Sequence, residues 1–157
     1  MTGFVRTMEK AQPPDGNYGV YALDCEMCYT TEGCDALRVT VVSSDGKIVY
    51  ETLIKSINPV LDYNTRFSGI TEENLLNVKT TLKDVQNFLL DLLSSKTILV
   101  GHGLDADLRA LRVIQLSANF YSCQFCFLSY YFKQNLDDPR HSNRYKYRFS
   151  TFARATL

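Results

Sequence analysis

Apolar and polar positions along this chain first alternate, then recur at helical spacing, then lose their order. Residues 18–27 have the aromatic, Val and Leu content of a strand entering a core, after an opening segment that reads as loose and ends in Pro13-Pro14-Asp15-Gly16-Asn17. Residues 38–43 and 47–54 read as two more strands, flanking Ser44-Asp45-Gly46, where Asp-Gly supplies the positive φ angles of a tight hairpin. Three antiparallel strands are expected, and Pro59 ends the extension of the third.

Helical signals follow. Gly69-Ile-Thr-Glu-Glu-Asn74 reads as a turn and a short helix with Thr71 as N-cap and acids in its first turn. A second helix begins at Thr81: Leu82, Val85, Phe88, Leu89 and Leu92 keep three-four spacing, and Thr81 with Asp84 resembles a capping box with Asp in place of Glu. Residues 97–100 form a short buried strand, Gly101-His102-Gly103 a turn, and residues 104–114 a helix with Leu104, Leu108 and Leu111 on one face. The expected order is β-β-β-α-α-β-α. Beyond Gln115 the periodicity degrades: residues 119–132 fit a strand or a buried helix, and the remainder fits neither.

Length and composition narrow the class. With 157 residues, 45% apolar and 22% charged, the chain has the size and make-up of one folded domain, not of a disordered or collagen-like protein. Its longest near-apolar stretch, residues 88–93, falls far short of the roughly 20 residues that cross a bilayer, and residues 1–7 lack the apolar run of a signal peptide. An intracellular chain without a membrane partner is expected, its five cysteines reduced.

The net charge of zero hides an asymmetry. Residues 1–115 carry 11 Lys and Arg against 15 Asp and Glu, whereas residues 116–157 carry 6 against 2 and hold 11 of the 19 aromatics. We therefore divide the chain into an N-terminal extension (1–17), a folded domain (18–115) and a divergent, aromatic, basic tail (116–157).

Asp24-Cys25-Glu26 is the first candidate for chemistry. Positions i and i+2 of a strand share a face, so two carboxylates stand side by side. Such a pair is either a solvated strand edge or a site for hard divalent cations. Two Mg2+ ions about 4 Å apart activate water and stabilise the leaving oxygen of a phosphodiester. The second candidate lies on the helix after residues 97–100, where spacing leaves Asp105 and Asp107 equally open. Cys25-Glu-Met-Cys28 and Cys123-Gln-Phe-Cys126 have the CxxC form of zinc sites. The first pair nevertheless points to opposite faces of its strand, so buried or incidental thiols are expected.

Four segments in order carry a resemblance: Tyr21-Ala-Leu-Asp-Cys-Glu-Met27, Arg38-Val-Thr-Val-Val42, Asp62-Tyr-Asn-Thr-Arg-Phe-Ser-Gly-Ile-Thr71 and Ile98-Leu-Val-Gly-His-Gly-Leu-Asp-Ala-Asp-Leu108. Together they resemble the RNA exonuclease 1 type of the DEDDh 3′-to-5′ exonucleases, over residues 4–115. The resemblance implies a three-layer α/β, ribonuclease H-like fold with a mixed sheet, its final strand and helix altered here. It also implies a nuclear enzyme that removes nucleotides from single-stranded RNA 3′ ends with two divalent ions, Mg2+ or Mn2+. Asp24 and Glu26 match the first motif as metal ligands and catalytic residues, and Asp107 matches the Asp of the second. Met27 falls where such enzymes approach the terminal nucleotide, and Phe67 where a base would stack. Packing alone is the competing reading for both.

The third motif of the family, a His general base followed closely by an Asp on a late helix, has no match. His141 follows Asp137 and Asp138 in reversed order, with Pro139 between, and residues 142–157 contain no Asp or Glu. His102 belongs to the turn before a helix and is expected to fix the backbone by hydrogen bonds. No general base is therefore assigned, and loss of one costs about 10²- to 10⁴-fold in rate. An impaired exonuclease is expected, or an inactive product that binds nucleic acid or is unstable. The loss of the match inside the domain points to an alternative or unspliced transcript as the source of the tail. Arg140, Arg144, Lys146 and Arg148 interleave with Tyr145, Tyr147 and Phe149 there, without the periodicity of a built nucleic-acid surface.

Overall fold

A computed structural model describes residues 3–115 and the backbone of residues 120–122. In chain order the elements are β1 (Val5–Arg6), β2 (Val20–Thr30), β3 (Gly33–Ser43), β4 (Ile48–Leu53), β5 (Val60–Asp62), α1 (Thr65–Ser68), α2 (Glu72–Leu75), α3 (Leu82–Leu92), β6 (Ile98–Gly101), α4 (Leu104–Ala110), β7 (Val113–Ile114) and β8 (Phe120–Ser122).

The main sheet has the order β4-β3-β2-β6-β8, and β5 pairs with the end of β2. β2, β3 and β4 are antiparallel neighbours, while β6 runs parallel to β2 and β8 parallel to β6. The sheet is therefore mixed, as expected. Asp45-Gly46 closes the β3–β4 hairpin: Gly46 has φ 80°, and the Ser43 N–H donates to the Lys47 carbonyl at 2.9 Å. β2 and β3 are longer than expected, because Thr31 and Glu32 alone connect them. The Thr30 hydroxyl donates to the Gly33 carbonyl at 2.8 Å across this turn, and Gly33 takes φ 114°.

The parity of β2 divides the fold. Tyr21, Leu23, Cys25 and Met27 face the main core, where Val39, Val85, Leu89, Leu99, Leu104, Leu108 and Leu111 pack around them. This is the face that α3 and α4 cover. Ala22 joins Val42 and Val20 on the opposite face, and further along Cys28 packs with Leu37, Ile70 and Leu75 under α1 and α2. Residues 24 and 26 lie on that second face, between its two apolar clusters.

The caps read from sequence hold. The Thr81 N–H donates to the Asp84 carboxylate at 2.8 Å and the Asp84 N–H to the Thr81 hydroxyl at 3.3 Å, and Thr71 with Asn74 forms the same arrangement at α2. Two expectations need correction. The last helix does not continue to Ile114: Arg112 adopts φ 53°, which stops α4, and β-branched Val113 and Ile114 become β7. The opening segment is not loose throughout, since β1 pairs in parallel with β7 and Thr7 is fully buried. No helix among the described residues is long and apolar enough to cross a membrane.

Candidate active site

Glu26 is 7% exposed and lies across the hairpin from Arg38, whose guanidinium approaches it at 3.8 Å. The register shifts between Glu26 and Met27, whose partners are Arg38 and Ala36, so Leu37 of β3 is the extra residue of a bulge beside the pair. Asp24, two residues earlier on the same face, is half-buried.

Asp107 reaches this strand from α4. Pairing of β6 with β2 stops at Val100 opposite Ala22, so the β2 backbone beyond that point lacks its parallel neighbour. Asp107 takes that neighbour's part: its carboxylate accepts the Cys25 N–H at 2.9 Å. Gly101 permits the approach, because a Cβ there would stand 2.8 Å from the Leu23 carbonyl oxygen. Asp107 is 4% exposed, and burial, joined by the charge of Asp24, pushes its pKa up to about 7 against the opposing pull of the Cys25 N–H. Asp105 is exposed and ion-paired with Arg109 one turn on. Geometry thus separates two acids that spacing leaves equal.

Carboxylates crowded in a buried place are the donor chemistry of hard divalent ions. Asp24 and Asp107 fit that chemistry in kind. Among the described residues, however, no three His, Cys, Asp or Glu side chains converge to hold one ion. The structure brings Asp24 and Asp107 within electrostatic reach of each other, while Glu26 faces Arg38.

Over 114 residues, 73% of the chain, the sequence is 54% identical to human RNA exonuclease 1 homolog, of which it covers 9%. It is 51% identical over the same length to the human putative exonuclease GOR and 41% identical over 113 residues to RNA exonuclease 1 of Saccharomyces cerevisiae, covering 17% and 20% of them. The matched residues belong to the RNA exonuclease 1 family. The chain spans no more than about a fifth of the length of these relatives. No family model matches it. Its fold is similar to that of the Neurospora crassa Pan2 catalytic unit, a protease and nuclease domain, with a TM-score of 0.62 at 22% identity, covering 97% of this chain and 30% of that one. The nuclease module of Saccharomyces cerevisiae Pan2 bound to A7 RNA gives 0.56 at 20% identity, covering 74% and 23%. The fold is therefore the ribonuclease H-like one of these nucleases.

In this exonuclease fold the remaining candidates take distinct places. Met27 is half-buried and packs against the main core, on the face opposite Asp24 and Glu26. Phe67 is 60% exposed on α1, the Arg66 guanidinium lying 5.6 Å from its ring centre. His102 is exposed, and its ring makes no hydrogen bond to the described residues, which corrects its expected role as a backbone clamp. Cys25 and Cys28 pack into different clusters on opposite faces, so they cannot share an ion. Burial and the Asp107 and Asp24 charges hold the Cys25 thiol far above its usual range, and burial pushes Cys28 up to about 11. Neither is a poised nucleophile. His141, Asp137, Asp138, Cys123, Cys126 and the basic tail cluster lie outside the described residues. Sequence reasoning missed Arg38 as a neighbour of the acids. Spacing held no signal for it: the short β2–β3 connection alone would set residue 26 opposite residue 37, and only the register shift between Glu26 and Met27 brings Arg38 opposite Glu26.

Proposed function

We propose that this chain carries the metal-binding half of a 3′-to-5′ exoribonuclease site acting on single-stranded RNA 3′ ends. The observation that carries the reading is the buried approach of Asp107 to the strand of Asp24 in a segment whose relatives are RNA exonucleases. Asp24, Glu26 and Asp107 would hold two divalent ions, Mg2+ or Mn2+. When bound, such ions supply an activated water and charge stabilisation at the scissile phosphate. Among the chain's own groups, the Cys25 N–H fixes one oxygen of Asp107. Phe67 would contact the terminal nucleotide by offering an exposed ring face to its base, and Met27, whose side chain packs into the main core on the other face, would approach that nucleotide through its backbone. The same reading keeps residues 18–115 as the exonuclease unit, 1–17 as its extension and 116–157 as a divergent tail. It also carries the family's nuclear location.

No residue of the sequence matches the family's general base, which supports impaired turnover. The test is incubation of the purified chain with 3′- and 5′-labelled single-stranded RNA and Mn2+, beside D24N and a chelator lane. Slow loss of 3′ nucleotides that disappears in both controls is expected. Cleavage that survives chelation, or that D24N leaves intact, overturns the reading. A folded chain that binds RNA without cleaving it makes the alternative, an inactive nucleic-acid-binding product, the correct one.

A further inference from the structure

Arg38 is the only basic residue in β2, β3, β4 and β6. Strand register sets it directly opposite Glu26 on the face that carries the acids. The two side chains differ in access: that of Glu26 is 8% exposed and that of Arg38 is 29% exposed. Their separation of 3.8 Å is an ion pair too long for a direct hydrogen bond. A guanidinium carries five N–H donors in a planar fork that matches phosphate oxygens. Here one edge is held loosely by a carboxylate, and the side chain reaches solvent beside the acids.

We propose that Arg38 binds a backbone phosphate of the RNA strand, with Glu26 as its holding partner until a cation claims that carboxylate. The inference rests on the exonuclease reading and adds a substrate contact to it. The physical argument is one of charge. A divalent ion on Glu26 would stand beside a guanidinium of like sign, and the two repel unless an anion lies between them. A phosphodiester is such an anion, and the site's own substrate supplies it. Arg38 therefore opposes metal binding in the absence of RNA and favours RNA once metal is bound.

The test compares the full chain with R38M, which keeps the apolar stem, and R38K, which keeps the charge but not the fork. Mn2+ binding is followed by calorimetry without RNA. Binding of a fluorescent single-stranded oligonucleotide is followed with Ca2+ in place of Mn2+, over a range of salt. R38M is expected to bind Mn2+ at least as tightly as the parent, to bind RNA about tenfold more weakly, and to lose roughly 0.7 from the salt slope, the share of one phosphate contact on a single strand. R38K should keep the slope and recover part of the affinity. If R38M fails to fold, R38Q carries the same comparison. Weakened Mn2+ binding in the variant would mean that Arg38 only props Glu26, and unchanged RNA affinity and slope would mean that it touches no phosphate. Either overturns the proposal. A parent chain that binds neither Mn2+ nor RNA overturns the exonuclease reading and this inference together.

Discussion

The Asp107 carboxylate accepts the backbone N–H of Cys25 at 2.9 Å, and so the second acid of the site is pinned to the strand residue between the first two. One bond ties α4 to β2 at the point where β6 ends. It also holds a buried carboxylate near Asp24, and the energetic cost of that placement has a sign that can be tested.

Burial and Asp24 raise the Asp107 pKa to about 7, above its ordinary value of 3.8. Below about pH 4 both folded and unfolded chains hold this proton. Between pH 4 and 7 the unfolded chain has released it while the folded chain still binds it, so stability falls as pH rises through that window. At about 1.4 kcal/mol per pKa unit the ceiling is on the order of 4 kcal/mol. In chelator, Tm should therefore drop between pH 5 and 8. D107N, which keeps an acceptor for the Cys25 N–H, should remove most of the drop, and Mn2+ at pH 8 should restore the parent's Tm. Melts that are flat with pH in the parent would count against this account.

Gly101 sets how closely α4 can follow β6. A Cβ at this position would stand 2.8 Å from the Leu23 carbonyl and 3.0 Å from Leu104 Cδ1, and a backbone carbonyl cannot step aside. G101A should cost about 1–3 kcal/mol as an overpacked core site. It should also reduce the Mn2+-induced rise in Tm, because the shifted segment leads directly to Asp107. Urea titrations with and without Mn2+ measure both effects.

Thr81 tests a part of the fold remote from the acids. Its hydroxyl and N–H exchange hydrogen bonds with Asp84 at the start of α3. T81A should cost about 1 kcal/mol, the usual value of an N-cap. Mn2+ stabilisation, read as the shift between chelated and metal-loaded melts, should be unchanged. A loss of that shift would mean that α3 communicates with the site.

Legibility followed the range of the interactions. The hairpin at Asp45-Gly46, the Thr71 and Thr81 caps and the apolar stripe of α3 are local signals, and each appears where the sequence puts it. Asp24 and Glu26 share a face because strand parity requires it. What spacing could not supply was long-range. Asp107 differs from Asp105 only through a hydrogen bond to a residue 82 positions away, and family resemblance alone favoured it beforehand. β7 was hidden because Leu111 continues the helical stripe, and only the left-handed Arg112 and the partner strand β1 divert the chain. The Glu26–Met27 register shift leaves no mark in composition.

Gln86 shows how that hidden strand is held. Its side chain is 3% exposed on α3, and its amide donates to the Leu111 carbonyl and the Gly3 carbonyl, both at 3.0 Å. One buried amide therefore satisfies the end of α4 and the approach to β1 together. Q86L would leave those carbonyls without their donor, at about 1–3 kcal/mol, or several degrees of Tm for a chain of this size. The local consequence is more specific. Val5 donates to the Arg112 carbonyl and Thr7 to the Ile114 carbonyl, so amide hydrogen exchange at Val5 and Thr7 should accelerate in Q86L well before that of Leu23 or Val39 in the main sheet. Equal acceleration at all four amides would mean that the N-terminal segment opens only with the whole domain, and that Gln86 is not its latch.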